Sequence, residues 1–268
     1  MDIRKPAVAG SFYPGSRDSL NSELEKLMPK ERDKKKAIGV ISPHAGYIYS
    51  GSVAGELLSS VLIPKKIILL GPNHTGLGSK ASIMLEGAWD LPNGTVGIDS
   101  KLAEKILQNS EILKADVMAH LREHSLEVQI PFLLHERDDL EIVPVTLMGL
   151  GLNDCKNLGH AIAEAIKSYG EEVLILASSD MTHYESQESA NKKDKKAIEK
   201  VLELDPHGLM DVVAENNITM CGVIPSTVML FAATELGAKK ASLVRYATSG
   251  DVSGDYDQVV GYAGMVVE

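Results

Sequence analysis

Apolar runs of strand length alternate with segments of helical spacing along the chain. The apolar runs predict strands at 37–42, 65–71, 81–87, 140–148, 171–179, 241–250 and 257–267. Apolar residues three and four positions apart predict helices at 52–62, 99–109, 125–136, 153–170, 189–204, 206–216 and 225–237. No linker or repeat interrupts this alternation, so the sequence predicts one α/β domain over residues 1–268. Its sheet is expected to be mostly parallel or mixed, with helices on both faces.

Cap and proline residues refine these boundaries. Asp99 or Ser100 is predicted to cap the helix that follows, because either side chain can accept a hydrogen bond from a free amide of the first turn. Gly170 is predicted to end the helix that precedes it. Pro144 cannot donate a backbone hydrogen bond, which predicts an edge position or a bulge for the strand that contains it.

The charge balance argues against partners that require clustered positive charge. The chain has 27 Lys and Arg residues against 37 Asp and Glu residues, a formal net charge of −10. Nucleic acid and anionic membranes are therefore not expected as partners. The N-terminal residues contain no long apolar stretch, and the two cysteines do not make a disulfide framework, so a cytoplasmic location is expected.

Three of the apolar runs end in the same way, with a histidine a few residues beyond a Gly, Ser or Pro. The exits read VISPHAG, LLGPNHTG and LASSDMTHY, and they contain His44, His74 and His183. Binding sites of α/β sheets gather at the carboxyl ends of the strands. If these three strands are parallel neighbours, the three imidazoles meet at one edge of the sheet, which predicts a functional site there.

A second pair of histidines, His120 and His124, has the i, i+4 spacing that can chelate a metal on a helix. The pair lacks the HExxH order and straddles a predicted junction between a loop and a helix. His124 is therefore a candidate for the wall of a pocket or for support of a ligand, with exposed surface as the alternative. The remaining histidines considered lie on polar helical faces and are not predicted to belong to the site: His135, His160 and His207.

Cys221 lies in a glycine-containing loop at 216–226 that leads into a helix. A lone cysteine in such a loop is more often a structural residue, whereas beside converging histidines it is a candidate metal ligand or redox group. A thiol near a helix N-terminus has its thiolate form favoured by the helix dipole and by free backbone amides. Neutral imidazoles and a thiolate suit zinc, iron or copper, and they do not suit magnesium or calcium. Two histidines and one anionic ligand would leave coordination positions open for a substrate.

Asp180 precedes His183 by three residues. In that position it would set the tautomer of His183, which would make His183 a group that transfers protons. The spacing alone leaves open which of the candidate residues touch the metal.

The order of seven sequence motifs adds a family resemblance. The motifs are RKPAVAGSFYPG, SPHAGYIYSG, GPNHTG, EHSLEVQIPFL, SSDMTHY, MCG and GYAGMVV, and they run from residue 4 to the C-terminus. In this order they resemble the Memo family, whose bacterial and archaeal members are called AmmeMemoRadiSam system protein B. The series SPHAGY, GPNH and SSDMTHY is highly specific for the family.

The resemblance implies an α/β fold similar to class III extradiol dioxygenases, non-haem iron enzymes with two histidines and one carboxylate as metal ligands. Carried onto this sequence, His44 and His74 would bind the metal, and His183 would act as acid and base. The third ligand position falls on Cys221, where the dioxygenases have a glutamate. Because a thiolate changes the electronics of iron, dioxygenase activity is not expected to transfer with the fold. The family also implies iron or copper binding, redox chemistry and an association with radical-SAM and AMMECR-type proteins.

Three functions are compatible with these residues. The first is a redox enzyme that uses iron, in preference to copper or zinc, on a small molecule of unknown structure. The second is a non-catalytic module that holds a peptide or a metal for a partner in the cleft, and the third is a zinc hydrolase built on the same ligands. Metal identity and oxygen consumption separate the first from the third, and an intact metal site without turnover favours the second.

Overall fold

The computed structural model describes residues 3–29 and 33–268, which form a twelve-stranded sheet with helices on both faces. The strands are β1 (Ile3–Arg4), β2 (Gly39–Ser42), β3 (Lys66–Pro72), β4 (Ala81–Ile83), β5 (Ala88–Leu91), β6 (Gly94–Ile98), β7 (Lys114–Ala115), β8 (Glu141–Leu147), β9 (Val173–Ser178), β10 (His183–Glu185), β11 (Ala241–Thr248) and β12 (Val259–Val267). The helices are α1 (Arg17–Leu27), α2 (Tyr47–Ser59), α3 (Ser100–Asn109), α4 (Ile130–Glu136), α5 (Leu152–Tyr169), α6 (Gln187–Leu202), α7 (Pro206–Glu215), α8 (Val223–Glu235) and α9 (Gly250–Ser253). One turn of 3-10 helix at Glu127–Gln129 leads into α4.

The sheet is mixed, with a parallel centre. The strand order is β1-β5-β6-β8-β3-β9-β2-β12-β10, with β11 beside β12, β4 beside β8 and β7 beside β4. β8, β3, β9 and β2 run parallel to one another, whereas β12 runs antiparallel to β2. The predicted α/β fold is therefore confirmed, in the mixed form that the sequence allowed.

The central strands are apolar on both sides because each face of the sheet packs against helices. In β3, Ile68 and Leu70 belong to the cluster that includes α3, α5 and α8, while Ile67 and Leu69 belong to the cluster that includes α1, α2 and α4. All four side chains are fully buried. Burial on both faces explains why this strand reads as a continuous apolar run instead of an alternating one.

Two predicted helix boundaries are confirmed. The carboxylate of Asp99 accepts a hydrogen bond from the amide of Leu102 at 3.0 Å and so caps α3. Gly170 follows the last residue of α5 with φ at +83°, a left-handed conformation that glycine adopts without strain.

Helix α2 begins and ends earlier than the segment predicted at 52–62. It spans Tyr47–Ser59, directly behind the turn that carries His44. The Tyr47 amide donates to the carbonyl oxygen of Phe12 at 2.8 Å, so a partner distant in the sequence satisfies the first free amide of the helix. Periodicity does not reveal that partner, which is why the predicted start lies too late.

The prediction of an edge or a bulge at Pro144 was wrong. β8 lies inside the sheet, and Pro144 stands opposite Leu69 of β3. The carbonyl oxygen of Pro144 accepts from the amide of Met84 at 3.2 Å, so the position of its missing N–H faces away from β3. On that side the partner of β8 changes from β6, at Ile142, to β4, at Val145. The proline therefore occupies a break between two ladders, where its missing donor is tolerated.

Several elements have no recognisable hydrophobic pattern because they are short or largely polar. Among them are α1, α9, the β5–β6 hairpin and the strands β1, β7 and β10. Helix α1 buries only Leu20 and Leu24, so its apolar stripe is too narrow to be recognised by spacing. The strand predicted at 81–87 is limited to Ala81–Ile83. In the described part of the chain, no helix is long and apolar enough to cross a membrane.

Candidate metal centre

Three strand exits meet at one edge of the sheet. β3, β9 and β2 are adjacent and parallel in that order, so the turns that follow them lie side by side. The ring centroids of His44 and His74 are 5.2 Å apart, and one ligand atom each of His44, His74 and Cys221 lie within 4.8 Å of one another. His183 is near enough for its charge to lower the pKa of His44, but it does not belong to that cluster of three. The exits converge as the sequence predicted, while the roles of these residues stay a prediction.

His44 is buried, and its Nδ1 is hydrogen-bonded to Ser178. The Ser178 hydroxyl donates to the carbonyl oxygen of Ser125 at 2.7 Å and lies 2.9 Å from Nδ1 of His44. Since the hydroxyl proton is already used, Nδ1 of His44 carries the proton of this second hydrogen bond. The side-chain amide of Gln129 donates to the same hydroxyl at 2.9 Å and holds it in place. The Nε2 lone pair of His44 is therefore available to a metal ion.

The surroundings of His44 also keep its ring neutral. Burial lowers its pKa well below the ordinary value, and the nearby His74, His124 and His183 lower it further. A metal ion binds the neutral imidazole, so this environment favours the form that can act as a ligand.

Glu123 fixes the tautomer of His74. Its carboxylate accepts hydrogen bonds from the His74 amide at 2.6 Å and from Nδ1 of His74 at 2.9 Å. An ionised carboxylate can only accept, so Nδ1 of His74 carries the proton and Nε2 is left with its lone pair. Histidines that bind metals commonly donate their other N–H to a carboxylate, which orients the ring and raises its basicity.

Glu123 itself is held in the ionised form. Its side chain is 1% exposed, and burial by itself would raise its pKa. The hydrogen bonds that Glu123 accepts from the side chain and the amide of His74 and from the amide of Ser125 outweigh burial and lower the pKa to about 2. The amide of His124 donates to the same carboxylate at 3.0 Å. The acceptor that fixes His74 is therefore charged throughout the neutral pH range.

His183 has the same tautomer by a different route. Its Nδ1 lies 2.9 Å from the carbonyl oxygen of Thr219, which can only accept, so Nδ1 carries the proton. The amide of His183 donates to the hydroxyl of Thr219 at 2.7 Å. Nε2 of His183 is thus available as a base beside the cluster. The prediction that Asp180 sets this tautomer was wrong, because Nδ1 of His183 donates to the backbone carbonyl oxygen of Thr219 and not to Asp180.

Asp180 instead organises the turn of His44 and the position of Cys221. Its carboxylate accepts from the amide of His44 at 2.7 Å, and its own amide donates to Sγ of Cys221 at 3.2 Å. Burial raises the pKa of this carboxyl group to about 6. Its Oδ2 lies 4.0 Å from Nε2 of His44, so the carboxyl group stands at the border of the cluster.

The surroundings of Cys221 favour the thiol over the thiolate. Burial and the charge of Asp180 raise its pKa well above the ordinary value, which contradicts the expectation that the helix favours a thiolate. The nearby amide of Gly222 donates to the hydroxyl of Ser179 and does not solvate the sulfur. Sγ lies 3.2 Å from Nε2 of His44 and 3.6 Å from the backbone carbonyl oxygen of Asp180, and the single thiol proton can be donated to either acceptor. Metal binding through both atoms would displace this proton.

His120 and His124 do not form a chelating pair on a helix. The helix begins only at Ile130, and the two rings lie in different surroundings. His120 is fully buried, with its ring centroid 6.2 Å from that of Trp89. The ring of His124 stacks on His74 at a centroid distance of 4.7 Å. His124 thus lies beside the cluster, and its place in a pocket wall stays a prediction.

A separate group of metal-ligand type lies on the surface, formed by His160, Glu164 and Glu235. All three residues are exposed. The ammonium group of Lys167 lies 2.9 Å from a carboxylate oxygen of each glutamate. The ammonium group of Lys167 therefore already pairs with both carboxylates, and this exposed group is not a candidate metal site.

Known proteins resemble this chain over nearly its full length. The family model described as Memo-like protein matches residues 4–266. The chain belongs to the Memo family. A MEMO1 family protein of Aquifex aeolicus is 46% identical over 270 residues, with 99% of each chain covered. One of Methanothermobacter thermautotrophicus is 43% identical over 273 residues, which cover 97% of this chain and 99% of the relative.

A solved structure supports the fold of this Memo protein. It is the crystal structure of an uncharacterized protein from Escherichia coli K12, with a TM-score of 0.54 and 12% sequence identity. The match covers 86% of this chain and 100% of that chain. At this level of identity the likeness concerns the fold alone.

The residues that hydrogen-bond to the histidines of this Memo protein were not predicted from the sequence. Glu123, Ser178 and Thr219 each hydrogen-bond to Nδ1 of one histidine, and none of them was predicted. Glu123 had a recognisable signal, because it directly precedes His124 inside the motif EHSLEVQIPFL. The other two act through a hydroxyl at a strand end and through a backbone carbonyl group, which no residue pattern distinguishes.

Proposed function

We propose that this Memo protein binds one transition-metal ion through Nε2 of His44, Nε2 of His74 and Sγ of Cys221. The observation that carries the proposal is the hydrogen bonding of both histidines at Nδ1, which leaves two Nε2 lone pairs beside the sulfur. Neutral nitrogen and sulfur donors fit iron, copper or zinc and do not fit magnesium or calcium. Iron is proposed as the physiological metal on the strength of the family resemblance, with copper and zinc as alternatives.

The proposed activity is redox chemistry on a small molecule that binds beside the cluster. When bound, the metal would supply redox chemistry and open coordination positions. His183 would take up or deliver a proton at the substrate through its free Nε2. The ring of His124 would bound the space for the substrate, and the carboxyl group of Asp180 would hold the turn of His44.

Metal content after anaerobic purification tests the ligand set. The wild type is expected to hold about one transition-metal ion per chain by elemental analysis. His44→Ala and His74→Ala each remove an Nε2 ligand and are expected to abolish binding. His207→Ala is the matched control, because His207 is exposed on α7 and packs against Phe231. Equal metal content in all three variants would contradict the proposal.

Activity separates the redox enzyme from the two alternatives that share its ligands. Oxygen consumption by the iron- or copper-loaded protein with a panel of small molecules supports the redox enzyme. Zinc occupancy with hydrolysis and without oxygen consumption supports a zinc hydrolase. Full occupancy without turnover of either kind supports a module that holds a peptide or a metal for a partner. A cytoplasmic location and an association with radical-SAM and AMMECR-type proteins stay predictions.

A further inference from the structure

Arg4 is a buried cation in β1 whose shortest hydrogen bonds go to a single segment, the loop at 120–127 that runs into the 3-10 turn before α4. Its guanidinium donates to the carbonyl oxygens of His120 and Glu123, both at 2.7 Å, and to the carboxylate of Glu127 at 2.6 Å. The Arg4 side chain is 1% exposed, and its guanidinium carbon lies 4.0 Å from the ring centroid of Trp89. Three acceptors of the loop before α4 are thus tied to one residue near the N-terminus.

Glu127 extends this connection along the N-terminal segment. Its carboxylate also accepts from the amides of Ala7 and Val8, at 2.8 and 3.0 Å, and from the hydroxyl of Tyr13 at 2.7 Å. The side chains of Arg4 and Glu127 are 1% and 0% exposed, so both partners of the ion pair are buried. Removal of one partner of such a pair leaves an uncompensated buried charge. The N-terminal segment and the loop are therefore held together as one unit.

The loop held in this way carries the groups that contact His74. Glu123 keeps the proton on Nδ1 of His74, and His124 stacks on the His74 ring. Arg4 binds the backbone carbonyl group of Glu123 itself, so the residue that supplies the carboxylate is anchored by β1. Phe12, from the same N-terminal segment, packs against His124, with the two ring centroids 4.8 Å apart. One chain of contacts therefore connects β1 to a proposed metal ligand.

We infer that Arg4 is a positioning residue of the metal centre, which holds Glu123 against His74 and so keeps Nε2 of His74 free and oriented for a metal ion. Arg4 acts through the backbone of the loop and does not contact the proposed ligands. The inference rests on the proposed function, because it concerns the affinity of that site. Arginine suits the role better than lysine, since its planar fork reaches several acceptors at once.

The test compares Arg4→Met and Arg4→Lys with the control Lys66→Met, all in the full-length chain. Lys66 is a matched buried cation that pairs with Asp99 at 2.8 Å and also with Glu141, at the opposite end of β3 from His74. The first readout is the affinity for zinc ions near neutral pH. The second is the set of ring nitrogen chemical shifts of His74 in the metal-free protein, which report the nitrogen that carries the proton.

Arg4→Met is expected to weaken zinc binding by about 10- to 100-fold, the range found when an outer hydrogen-bond partner of a metal ligand is lost. The His74 shifts are expected to change from one tautomer to a mixture of two. Arg4→Lys is expected to lie between Arg4→Met and the wild type in both readouts. Lys66→Met is expected to destabilise the fold and to leave zinc affinity and the His74 tautomer unchanged.

Wild-type zinc affinity together with a wild-type His74 spectrum in Arg4→Met would overturn the inference. An equal loss of zinc affinity in Lys66→Met would overturn it as well, because affinity would then follow general stability. If Arg4→Met does not fold, Arg4→Lys is compared with Lys66→Met by the same readouts and the same criteria. If the wild type binds no zinc, the proposed function fails, while the His74 spectrum still decides the role of Arg4.

Discussion

Replacement of Glu123 by glutamine keeps the shape of the side chain and removes the charge that fixes His74. Glu123 accepts hydrogen bonds from the amide and Nδ1 of His74 and from the amides of His124 and Ser125. Despite burial, its pKa is lowered from an ordinary value of 4.5 to about 2. At about 1.4 kcal/mol per pH unit, this difference corresponds to about 3 kcal/mol in favour of the charged form.

Glu123→Gln is expected to lower the free energy of unfolding by about 3 kcal/mol near neutral pH, because a neutral amide replaces the charged acceptor. It is also expected to weaken zinc affinity by about 10- to 100-fold, since a neutral amide oxygen holds the proton on Nδ1 of His74 less strongly than a carboxylate does. Urea unfolding of the metal-free protein measures the first quantity, and competitive zinc titration measures the second.

Asp99→Asn is the control for this experiment. Asp99 is a buried carboxylate that caps α3 and pairs with Lys66, and hydrogen bonds from Lys66 and Tyr169 lower its pKa against the effect of burial. Its loss is expected to reduce stability and to leave zinc affinity unchanged. If Glu123→Gln loses stability but keeps the zinc affinity of the wild type, the reasoning about the His74 tautomer is refuted. A comparable loss of affinity in both variants would refute it too.

Three further substitutions and a change of pH have defined outcomes. Cys221→Ser is expected to weaken metal affinity because a neutral hydroxyl is a poor third ligand; Cys221→Glu restores a carboxylate set suited to iron(II) and is expected to show weak oxygenase activity. Iron-loaded wild type is not expected to open catechol rings, and rapid oxygen uptake that is unchanged in Cys221→Ser would show that the thiol has no part in the site. Gly222→Ala is expected to lower the unfolding temperature and zinc affinity, because its Cβ would lie 2.3 Å from the carbonyl oxygen of Ser178; Gly97→Ala, whose Cβ meets nothing within 4 Å, is the control, and equal effects would contradict this. The stability that Glu123 contributes is present above its unfolded pKa and is lost as the pH falls through its folded pKa. The difference in free energy of unfolding between wild type and Glu123→Gln, measured with urea, should therefore shrink as the pH falls from 4.5 towards about 2. A difference that stays constant over this range would argue against the lowered pKa.

The positions of the candidate ligands could be predicted because they follow from strand burial. Each of the three apolar runs is buried on both faces, which indicates parallel central strands, and parallel strands place their exits at one edge. His44, His74 and His183 were predictable on that basis. Cys221 could be named as a candidate from its loop before a helix, but strand burial does not place it beside the histidines, because that loop comes from a different part of the chain.

The protonation states and partners of these residues could not be predicted from the sequence. The thiol form of Cys221 is favoured by its burial and by the nearby charge of Asp180. Neither the burial nor the distance to Asp180 can be read from the spacing of residues in the sequence. The role of Glu123 depends on a loop that Arg4 holds from 119 positions away in the chain. Pro144 was misinterpreted for a similar reason, since its tolerance depends on where two neighbouring strands happen to begin and end.

X-ray absorption spectroscopy of the zinc-loaded protein tests the central claim most directly. The proposed ligands predict one sulfur neighbour at about 2.3 Å together with nitrogen neighbours at about 2.0–2.1 Å. The sulfur contribution should disappear in Cys221→Ser, and bound zinc should disappear in His44→Ala and His74→Ala. A wild-type spectrum without sulfur, or a sulfur neighbour that persists in Cys221→Ser, would contradict the assignment of His44, His74 and Cys221 as the metal site.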